Sequence, residues 1–297
     1  MNNVILANCA AAVASLSAGA SIVATRFVVG DLEPLSLAFY RYLVASICLV
    51  PILMWGFTRF KIKKYDIIPI ISLGSLLYAL FPWLFSLSLF YTSAAFGAIG
   101  LATLPIITLI VAFFFKRELL NTLKIMGVLL AFIGVVIAVS QSLDNSEPNQ
   151  NHILGIILMV CAATVASIYS IFCKRYIMDY GPVFFSALSM LTGMLTLFPF
   201  VWLMRDLSII TSLDYYSWIS LIFLGIIGGA FQFTAYTWAL KWLTPTRATV
   251  YLTLNPISAI FIAYPVLGET ITTSALIGLV CVLSAIFLVN YARKNNN

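Results

Sequence analysis

Arg41 is the residue of this sequence best suited to hold an anionic ligand, because it is a charge inside an apolar run. It lies about seven residues after Pro34, or ~10 Å into a helix at 1.5 Å per residue. If that run crosses a bilayer, the charge costs roughly 2.5–3.5 kcal/mol and indicates a functional site. Its guanidinium would bind a carboxylate through two parallel hydrogen bonds. The alternative is that Arg41 extends to the membrane surface or caps carbonyl oxygens of a neighbouring helix.

Four uncharged polar residues form a second candidate group. Gln232 and Tyr236 are four residues apart, and so are Tyr251 and Asn255, so that each pair would share one face of a helix. We predict that these side chains form the polar wall of a substrate cavity. The alternative is that they only hydrogen-bond one helix to another, at ~0.6 kcal/mol each.

Two prolines and two aromatic residues complete the predicted site. Pro256 directly follows Asn255, and Pro105 occupies a similar place earlier in the chain. A proline inside a helix removes one backbone hydrogen bond and frees a carbonyl, so we predict hinges at both positions. Tyr78 and Trp83 would stack on a planar substrate. Aromatic residues make up 14% of the chain, however, and most of them must pack in the core or against lipid.

The residue types needed for most catalytic chemistry do not occur in a useful pattern. The one histidine, His152, lies in a polar linker, and there is no pair of carboxylates, metal-ligand cluster or phosphate-binding glycine loop. The five cysteines are single and fall in apolar stretches, where a thiol behaves as a small hydrophobe: Cys9, Cys48, Cys161, Cys173 and Cys281. We therefore expect no enzyme activity, no metal, no cofactor and no direct use of ATP.

The composition indicates the elements that position these residues. Charged residues make up 9% of the 297 residues and apolar residues 62%, with a mean hydropathy of +1.06. Soluble domains carry roughly 25% charged residues, and a soluble protein could not bury so much apolar surface behind so little polar surface. This composition predicts an all-α integral membrane protein and excludes a disordered chain, a nucleic-acid binder and a secreted disulfide scaffold.

Stretches without charge predict ten transmembrane helices, each near the ~20 residues that a bilayer requires. They are Met1–Thr25, Pro34–Thr58, two spans within Ile67–Phe115, Ile125–Leu143, Ile153–Cys173, Tyr180–Met204, Tyr215–Leu240, Ala248–Gly268 and Thr270–Ala292. These runs are too long and too continuously apolar for strands of a barrel. The first run lacks the basic segment of a signal peptide, so we expect it to be a retained helix.

Basic residues lie almost entirely on one side of this topology. Thirteen of the sixteen fall on the side that holds both termini: Arg59, Lys61, Lys63, Lys64, Lys116, Arg117, Lys124, Lys174, Arg175, Lys241, Arg247, Arg293 and Lys294. The other side has Arg26 and Arg205. The positive-inside rule then places both termini in the cytoplasm of a bacterial cell, with the chain in the inner membrane. Topology thus explains the basic pI of about 9.1 without a nucleic-acid partner.

The sequence repeats itself about its midpoint. Pro105 and Glu118 are 13 residues apart, and so are Pro256 and Glu269. Both glutamates fall at the end of a span, and we interpret them as structural. The repeat is not complete, because Ser189 stands where the first copy has Arg41.

These matches divide the chain into a first five-helix repeat at 1–140, a polar periplasmic linker at 141–152 and a second five-helix repeat at 153–292. Because five is odd, the second repeat must insert in the opposite orientation to the first. Inverted repeats are typical of secondary transporters, in which the substrate binds near the middle of the membrane between the repeats.

Three segments also resemble a known family. FVVGDLEPLSLAFYRYLVASICLVP is similar to the first-to-second helix signature of the EamA-like family of the drug/metabolite transporter superfamily. LATLPIITLIVAFFFKRELLNTLKIMGVLLAFIGVVIA and LTLNPISAIFIAYPVLGETITTSALIGLVCVLSAIFLV resemble the end of that family's repeat. The resemblance implies ten helices around a central cavity, and export or exchange of small metabolites.

We therefore predict a secondary transporter that moves a small polar metabolite, such as an amino acid or a related compound, by alternating access. The alternatives are transport of a nucleotide-like metabolite such as S-adenosylmethionine, or a metabolite channel, which the inverted repeat disfavours. The protein would work in the lipid bilayer as a monomer or homodimer. Gly225 and Gly229 form a Gly-x-x-x-Gly motif that fits internal packing and a dimer face equally well.

Overall fold

A computed structural model describes residues 2–25, 28, 32–92, 94–143, 151–203, 213–268 and 271–292, and every regular element among them is helical. We number ten helices: α1 Asn2–Thr25, α2 Pro34–Cys48 with Val50–Arg59, α3 Lys64–Tyr91, α4 Ala94–Ala102 with Leu104–Phe114, α5 Thr122–Leu143, α6 His152–Tyr180, α7 Pro182–Leu203, α8 Tyr215–Trp242, α9 Pro245–Tyr251 with Leu254–Leu267, and α10 Thr273–Tyr291. In the described part of the chain nine helices are long and apolar enough to cross a membrane, and the bent α2 makes ten. The predicted all-α membrane fold is confirmed. The predictions for Arg26, Arg205, Glu269 and residues 144–150 lie outside the described residues.

Several helices begin at a polar side chain that caps their free backbone N–H groups. Asn151 accepts from the backbone N–H of Leu154 at the start of α6, and Thr272 accepts from that of Ala275 at the start of α10. Asp214 does the same for α8, accepting from the Ser217 N–H at 2.7 Å. Hydrogen bonds from Ser217 lower the pKa of the Asp214 carboxyl below its usual value. The helices α6, α8 and α10 therefore each begin after a polar capping residue just outside the apolar run.

The second span is bent, where the sequence predicted one uninterrupted helix. Its two parts meet at Leu49 at an angle of 58°. Pro51 is the second residue of the new segment, has no N–H to donate and disfavours helical backbone in the residue before it. After Leu49, α2 therefore runs in a different direction from the part that carries Arg41.

The third and eighth helices each contain a π-helical turn. These turns are Leu76–Leu80 in α3 and Ile226–Phe231 in α8, and they start 150 residues apart. A π turn widens the helix and leaves carbonyl groups outside the regular hydrogen-bond pattern. Both turns lie near the middle of their spans, and such turns are frequent at functional sites.

The Gly-x-x-x-Gly motif in α8 serves packing inside the chain. A Cβ atom added to Gly225 would lie 2.3 Å from Cγ1 of Val44, and one added to Gly229 would lie 2.9 Å from Cβ of Ala45. Both contacts are with α2, so only glycine permits this close approach of the two helices. The motif therefore packs α8 against α2 within the chain, which is one of the two uses that the sequence allows.

Helices α4 and α9 are each interrupted just before their proline. In α4 the break is Thr103, and in α9 it is Leu252 and Thr253. Both threonines close a tighter turn: the N–H of Thr103 donates to Gly100 and that of Thr253 to Val250, each at 3.2 Å. Their hydroxyls donate to the same carbonyls at 2.7 Å. The predicted proline positions therefore coincide with breaks in two helices, while movement at them remains a prediction.

Helices of the N-terminal five pack against helices of the C-terminal five. α1 lies along α8 and α9, α6 lies along α3 and α4, and α5 pairs with α10. The last pair is close because small residues face each other: a Cβ atom on Gly134 would lie 3.0 Å from the carbonyl oxygen of Gly278. This interleaving leaves a space at the centre that both groups of helices border.

Candidate functional site

A central cavity of about 80 Å³ lies between the two groups of helices. Residues of α1, α3, α4, α5, α6, α8 and α9 line it, and most of them are aliphatic or aromatic. Six polar side chains interrupt this apolar lining: Ser170, Gln232, Tyr236, Thr249, Thr253 and Asn255. None of the described residues that line the cavity is charged. The chemistry available is therefore hydrogen bonding to amides and hydroxyls within an apolar enclosure.

Gln232 and Tyr236 both line this cavity, as their four-residue spacing in α8 predicted. The side-chain oxygen of Gln232 accepts from the Ser21 hydroxyl of α1 at 3.5 Å. The Tyr236 hydroxyl shares a hydrogen bond of 2.9 Å with the Ser170 hydroxyl of α6. Each side chain therefore borders the cavity and also connects α8 to a neighbouring helix, while substrate binding by them stays a prediction.

Asn255 and the two prolines lie at the places where α4 and α9 are interrupted, and all three line the cavity. With its amide oriented to satisfy its neighbours, Asn255 donates to the carbonyl oxygens of Ser15 at 3.2 Å and Leu252 at 3.1 Å. Interrupted helices near the middle of the membrane present free backbone groups to a bound molecule in many transporters. Pro105 of α4 and Pro256 of α9 thus both line one cavity.

Tyr251 does not line the cavity. Its hydroxyl accepts from the amide nitrogen of Asn290 in α10 at 3.0 Å, and the Asn290 oxygen accepts from the Arg247 guanidinium. The break at Leu252 and Thr253 lies between Tyr251 and Asn255, so the regular helical spacing does not hold across it. Tyr251 therefore belongs to a polar network between α9 and α10.

Tyr78 and Trp83 lie apart from each other. Tyr78 is fully buried behind the cavity, with its ring centroid 5.1 Å from those of Tyr42 and Phe233. Trp83 is 46% exposed on the outside of the bundle, a surface that lipid would cover. Neither borders the cavity, although Leu77, the neighbour of Tyr78 in the chain, does.

Arg41 reaches the π turn of α8 rather than the cavity. Its Nη2 donates to the carbonyl oxygen of Gly228, and its guanidinium lies 5.7 Å from the centre of the Tyr42 ring. A π turn frees carbonyl groups, and an arginine is well suited to satisfy one of them. This contact is the helix-capping alternative considered for Arg41, and the binding of an anion there stays a prediction.

Two buried carboxylates that join the N-terminal and C-terminal helices lie at the basic end of the bundle, the end that holds the α2–α3 and α4–α5 connections. Asp66 of α3 accepts from the Tyr180 hydroxyl of α6 at 2.6 Å and lies 3.5 Å from the Arg175 guanidinium. Asp66 does not stand out in the sequence, because its partners Tyr180 and Arg175 are more than one hundred residues away. The feature of the sequence that could have indicated Asp66 is an acidic residue in the first turn of an apolar helix, where it interacts favourably with the helix dipole.

Glu118 is the second of these carboxylates, and its contacts are those of a structural residue. One oxygen lies 3.1 Å from the Lys124 ammonium, and the other accepts from the backbone N–H of Thr246 at 2.9 Å. Thr246 is in the first turn of α9, so a residue of the α4–α5 connection caps a helix of the C-terminal five. Among the described residues no three His, Cys, Asp or Glu side chains form a group that could hold a metal ion.

In the part of the chain that the structure describes, up to ten apolar helices long enough to cross a membrane surround a small, mostly apolar cavity, which is the arrangement of a multi-spanning membrane protein. The model of the EamA-like transporter family matches residues 5–140 and 153–291. The chain therefore belongs to the EamA-like transporter family.

Sequence relatives and a solved structure match this chain over most of their length. An uncharacterized transporter of Archaeoglobus fulgidus is 27% identical over 91% of this chain and 94% of its own. A WAT1-related protein of Arabidopsis thaliana is 23% identical over 86% of this chain and 78% of its own. One solved crystal structure has a TM-score of 0.78 at 15% identity and covers 96% of this chain and 97% of its own, which shows the fold.

Proposed function

We propose that this protein is a secondary transporter that moves a small polar metabolite, such as an amino acid or a related compound, through the central cavity by alternating access. The observation that carries the proposal is the cavity itself, which is enclosed by helices of both family matches and bordered by two interrupted helices. Its lining offers amide and hydroxyl groups without a charge. No basic side chain among the described lining residues is available for a phosphate, so no observation favours a nucleotide.

The arrangement that fits this mechanism is a pair of inverted five-helix repeats. Support comes from features that recur in both matched ranges: a π turn in α3 and in α8, and an interruption in α4 and in α9. With an odd number of spans in each repeat and the basic residues at one end, both termini would face the cytoplasm of a bacterial cell. The protein would act in the inner membrane as a monomer or homodimer.

Counter-flow into proteoliposomes tests the proposal. Vesicles containing the purified protein are loaded with one compound of a panel of amino acids, nucleosides and S-adenosylmethionine, and uptake of the same labelled compound is followed. A transporter gives saturable uptake that is accelerated by substrate inside the vesicle. Gln232→Leu should weaken this exchange, whereas Phe90→Leu on the exposed surface should not. Uptake that neither saturates nor responds to internal substrate would indicate a channel.

A further inference from the structure

Three hydroxyl groups at the centre of the bundle are buried without a hydrogen bond. They belong to Tyr78 of α3, Tyr169 of α6 and Ser189 of α7, and all three residues are 0% exposed. The Tyr169 hydroxyl lies close enough to those of Tyr78, Ser189 and Thr237 to interact with them, and the Tyr78 hydroxyl is equally close to that of Ser186. Among the described residues, however, none of the three groups makes a hydrogen bond of regular geometry. Buried polar groups are nearly always paired, so a cluster of unpaired ones requires an explanation.

Neighbouring hydroxyls in the same layer of the bundle do have partners. Tyr236 is paired with Ser170 at 2.9 Å, and Ser186 donates to Thr237 at 2.8 Å. A phenylalanine at position 78 or 169 would fill nearly the same space without burying an unpaired polar group. Within the part of the chain that the structure describes, the three hydroxyls therefore lack a regular hydrogen bond, whereas the hydroxyls of Tyr236 and Ser186 nearby have one.

The cluster lies directly behind one wall of the central cavity. Phe233 lines the cavity, and its ring centroid is 5.1 Å from that of Tyr78 on its other side. Leu77 and Ser170, which are the chain neighbours of Tyr78 and Tyr169, also line the cavity. The Phe233 ring thus contacts both the cavity and the Tyr78 ring of the cluster.

We propose that Tyr78, Tyr169 and Ser189 form a polar subsite that binds an uncharged hydrogen-bonding group of the substrate, such as a hydroxyl or a carboxamide, when Phe233 turns aside. This proposal rests on the proposed transport function. A hydroxyl both donates and accepts, so three of them match a group that does the same. A charged group would lose its hydration without gaining an opposite charge, since neither the subsite nor the described cavity lining contains one.

The stability of the purified protein without substrate provides the first test. Because their hydroxyls are unpaired at rest, Tyr78→Phe and Tyr169→Phe should keep or raise the midpoint of thermal unfolding. Tyr236→Phe and Tyr180→Phe are the matched controls and should lower it, because their hydroxyls are hydrogen-bonded. If Tyr78→Phe and Tyr169→Phe lower the midpoint as much as the controls do, the hydroxyls have a permanent partner such as a bound water, and the proposal is overturned.

Chemical access to the subsite provides the second test. A Ser189→Cys variant, in a background without the native cysteines, is treated with methyl methanethiosulfonate, which is neutral, or with its trimethylammonium-ethyl analogue, which is cationic. Adding Phe233→Ala should speed the neutral reaction by about tenfold or more and leave the cationic one slow. Phe184→Ala, a truncation elsewhere on α7, is the control and should have no effect. Equal rates with and without Phe233→Ala, or a faster cationic reaction, would refute the subsite.

Transport measurements then connect the subsite to the substrate. In proteoliposomes we expect the combined Tyr78→Phe and Tyr169→Phe changes to raise KM by about tenfold for the compound that is exchanged. An unchanged KM would contradict the proposal even if transport is confirmed. If the unaltered protein exchanges nothing, the proposed function fails instead, and the stability and access tests still decide whether the subsite exists.

Discussion

At the scale of single residues, the cavity wall consists of side chains that also join helices. Replacing Gln232 or Asn255 by leucine should weaken substrate affinity, because an apolar group of similar size cannot hydrogen-bond the substrate, and each change should also cost stability of about 0.5–1.5 kcal/mol. Substrate-dependent stabilisation of the purified protein and its KM would measure the first effect. Tyr251→Phe is the control, since Tyr251 contacts Asn290 outside the cavity lining. Full affinity in both leucine variants would mean that these amides only connect helices.

Arg41 permits a prediction that separates two roles. If it binds an anionic group of the substrate, Arg41→Lys should raise KM for carboxylate-containing compounds but not for their amides, because lysine lacks the two-pronged geometry. If it only caps the Gly228 carbonyl, Arg41→Lys should leave KM unchanged, and Arg41→Gln should mainly lower thermal stability. Loss of the capping contact would lower the free energy of unfolding by about 1.5–3 kcal/mol at most, because Arg41 is only partly buried. Parallel KM series with acid and amide pairs would distinguish the two.

At the scale of the helices, we expect Pro105 and Pro256 at the breaks to lower stability and to permit movement of the helical segments. Pro256→Ala restores an N–H that can donate back across the break to the Leu252 carbonyl, so it should make α9 more continuous, raise the unfolding temperature and lower the turnover number of transport. Pro105→Ala should do the same in α4. Pro182 is the control, because it begins α7 directly after Gly181, whose φ of 77° ends α6, so that alanine at this position cannot join two helical segments. Faster turnover in the alanine variants would contradict a hinge role.

The helices themselves could be predicted from the sequence far better than the details within them. The charge-free run Ile67–Phe115 contains parts of two successive helices, α3 and α4, as its length predicts, because the thickness of the bilayer limits the length of each span. Helical periodicity also predicts that Gln232 and Tyr236 share one face of α8, and both line the cavity. It failed to place Tyr251, because a two-residue break rotates the chain there. The π turns, the Arg41–Gly228 contact and the pairing of Asp66 with Arg175 depend on partners distant in sequence, which a local pattern does not encode.

At the scale of the whole molecule, two buried carboxylates at the basic end join the two groups of helices by hydrogen bonds: Asp66 accepts from Tyr180, and Glu118, which is paired with Lys124, accepts from the Thr246 N–H. Glu118→Ala should leave the Lys124 ammonium buried without its carboxylate and destabilise the protein by about 3–5 kcal/mol. The double variant with Lys124→Met should recover a large part of this loss, because no buried charge remains. Denaturant unfolding in detergent would measure both. Equal stability of the single and double variants would show that the loss of the Thr246 cap accounts for the whole effect.

Membrane topology is the second prediction at this scale. The distribution of basic residues places the linker outside the cell and the α2–α3 connection inside. In a background without native cysteines, Asn149→Cys should react with an impermeant maleimide in intact cells, and Lys63→Cys should react only after the membrane is opened. The reverse labelling pattern would overturn the predicted orientation.

The absence of charge from the described lining of the cavity has an electrical consequence. In a carrier that works by alternating access, a charge fixed in the cavity wall moves through the membrane field whenever the empty protein reorients, at about 2.3 kcal/mol per 100 mV for a full crossing. This lining would carry none, so the membrane voltage should act on the substrate's own charge alone. We therefore expect the exchange of a compound without net charge to proceed at the same rate in vesicles with and without an imposed potential.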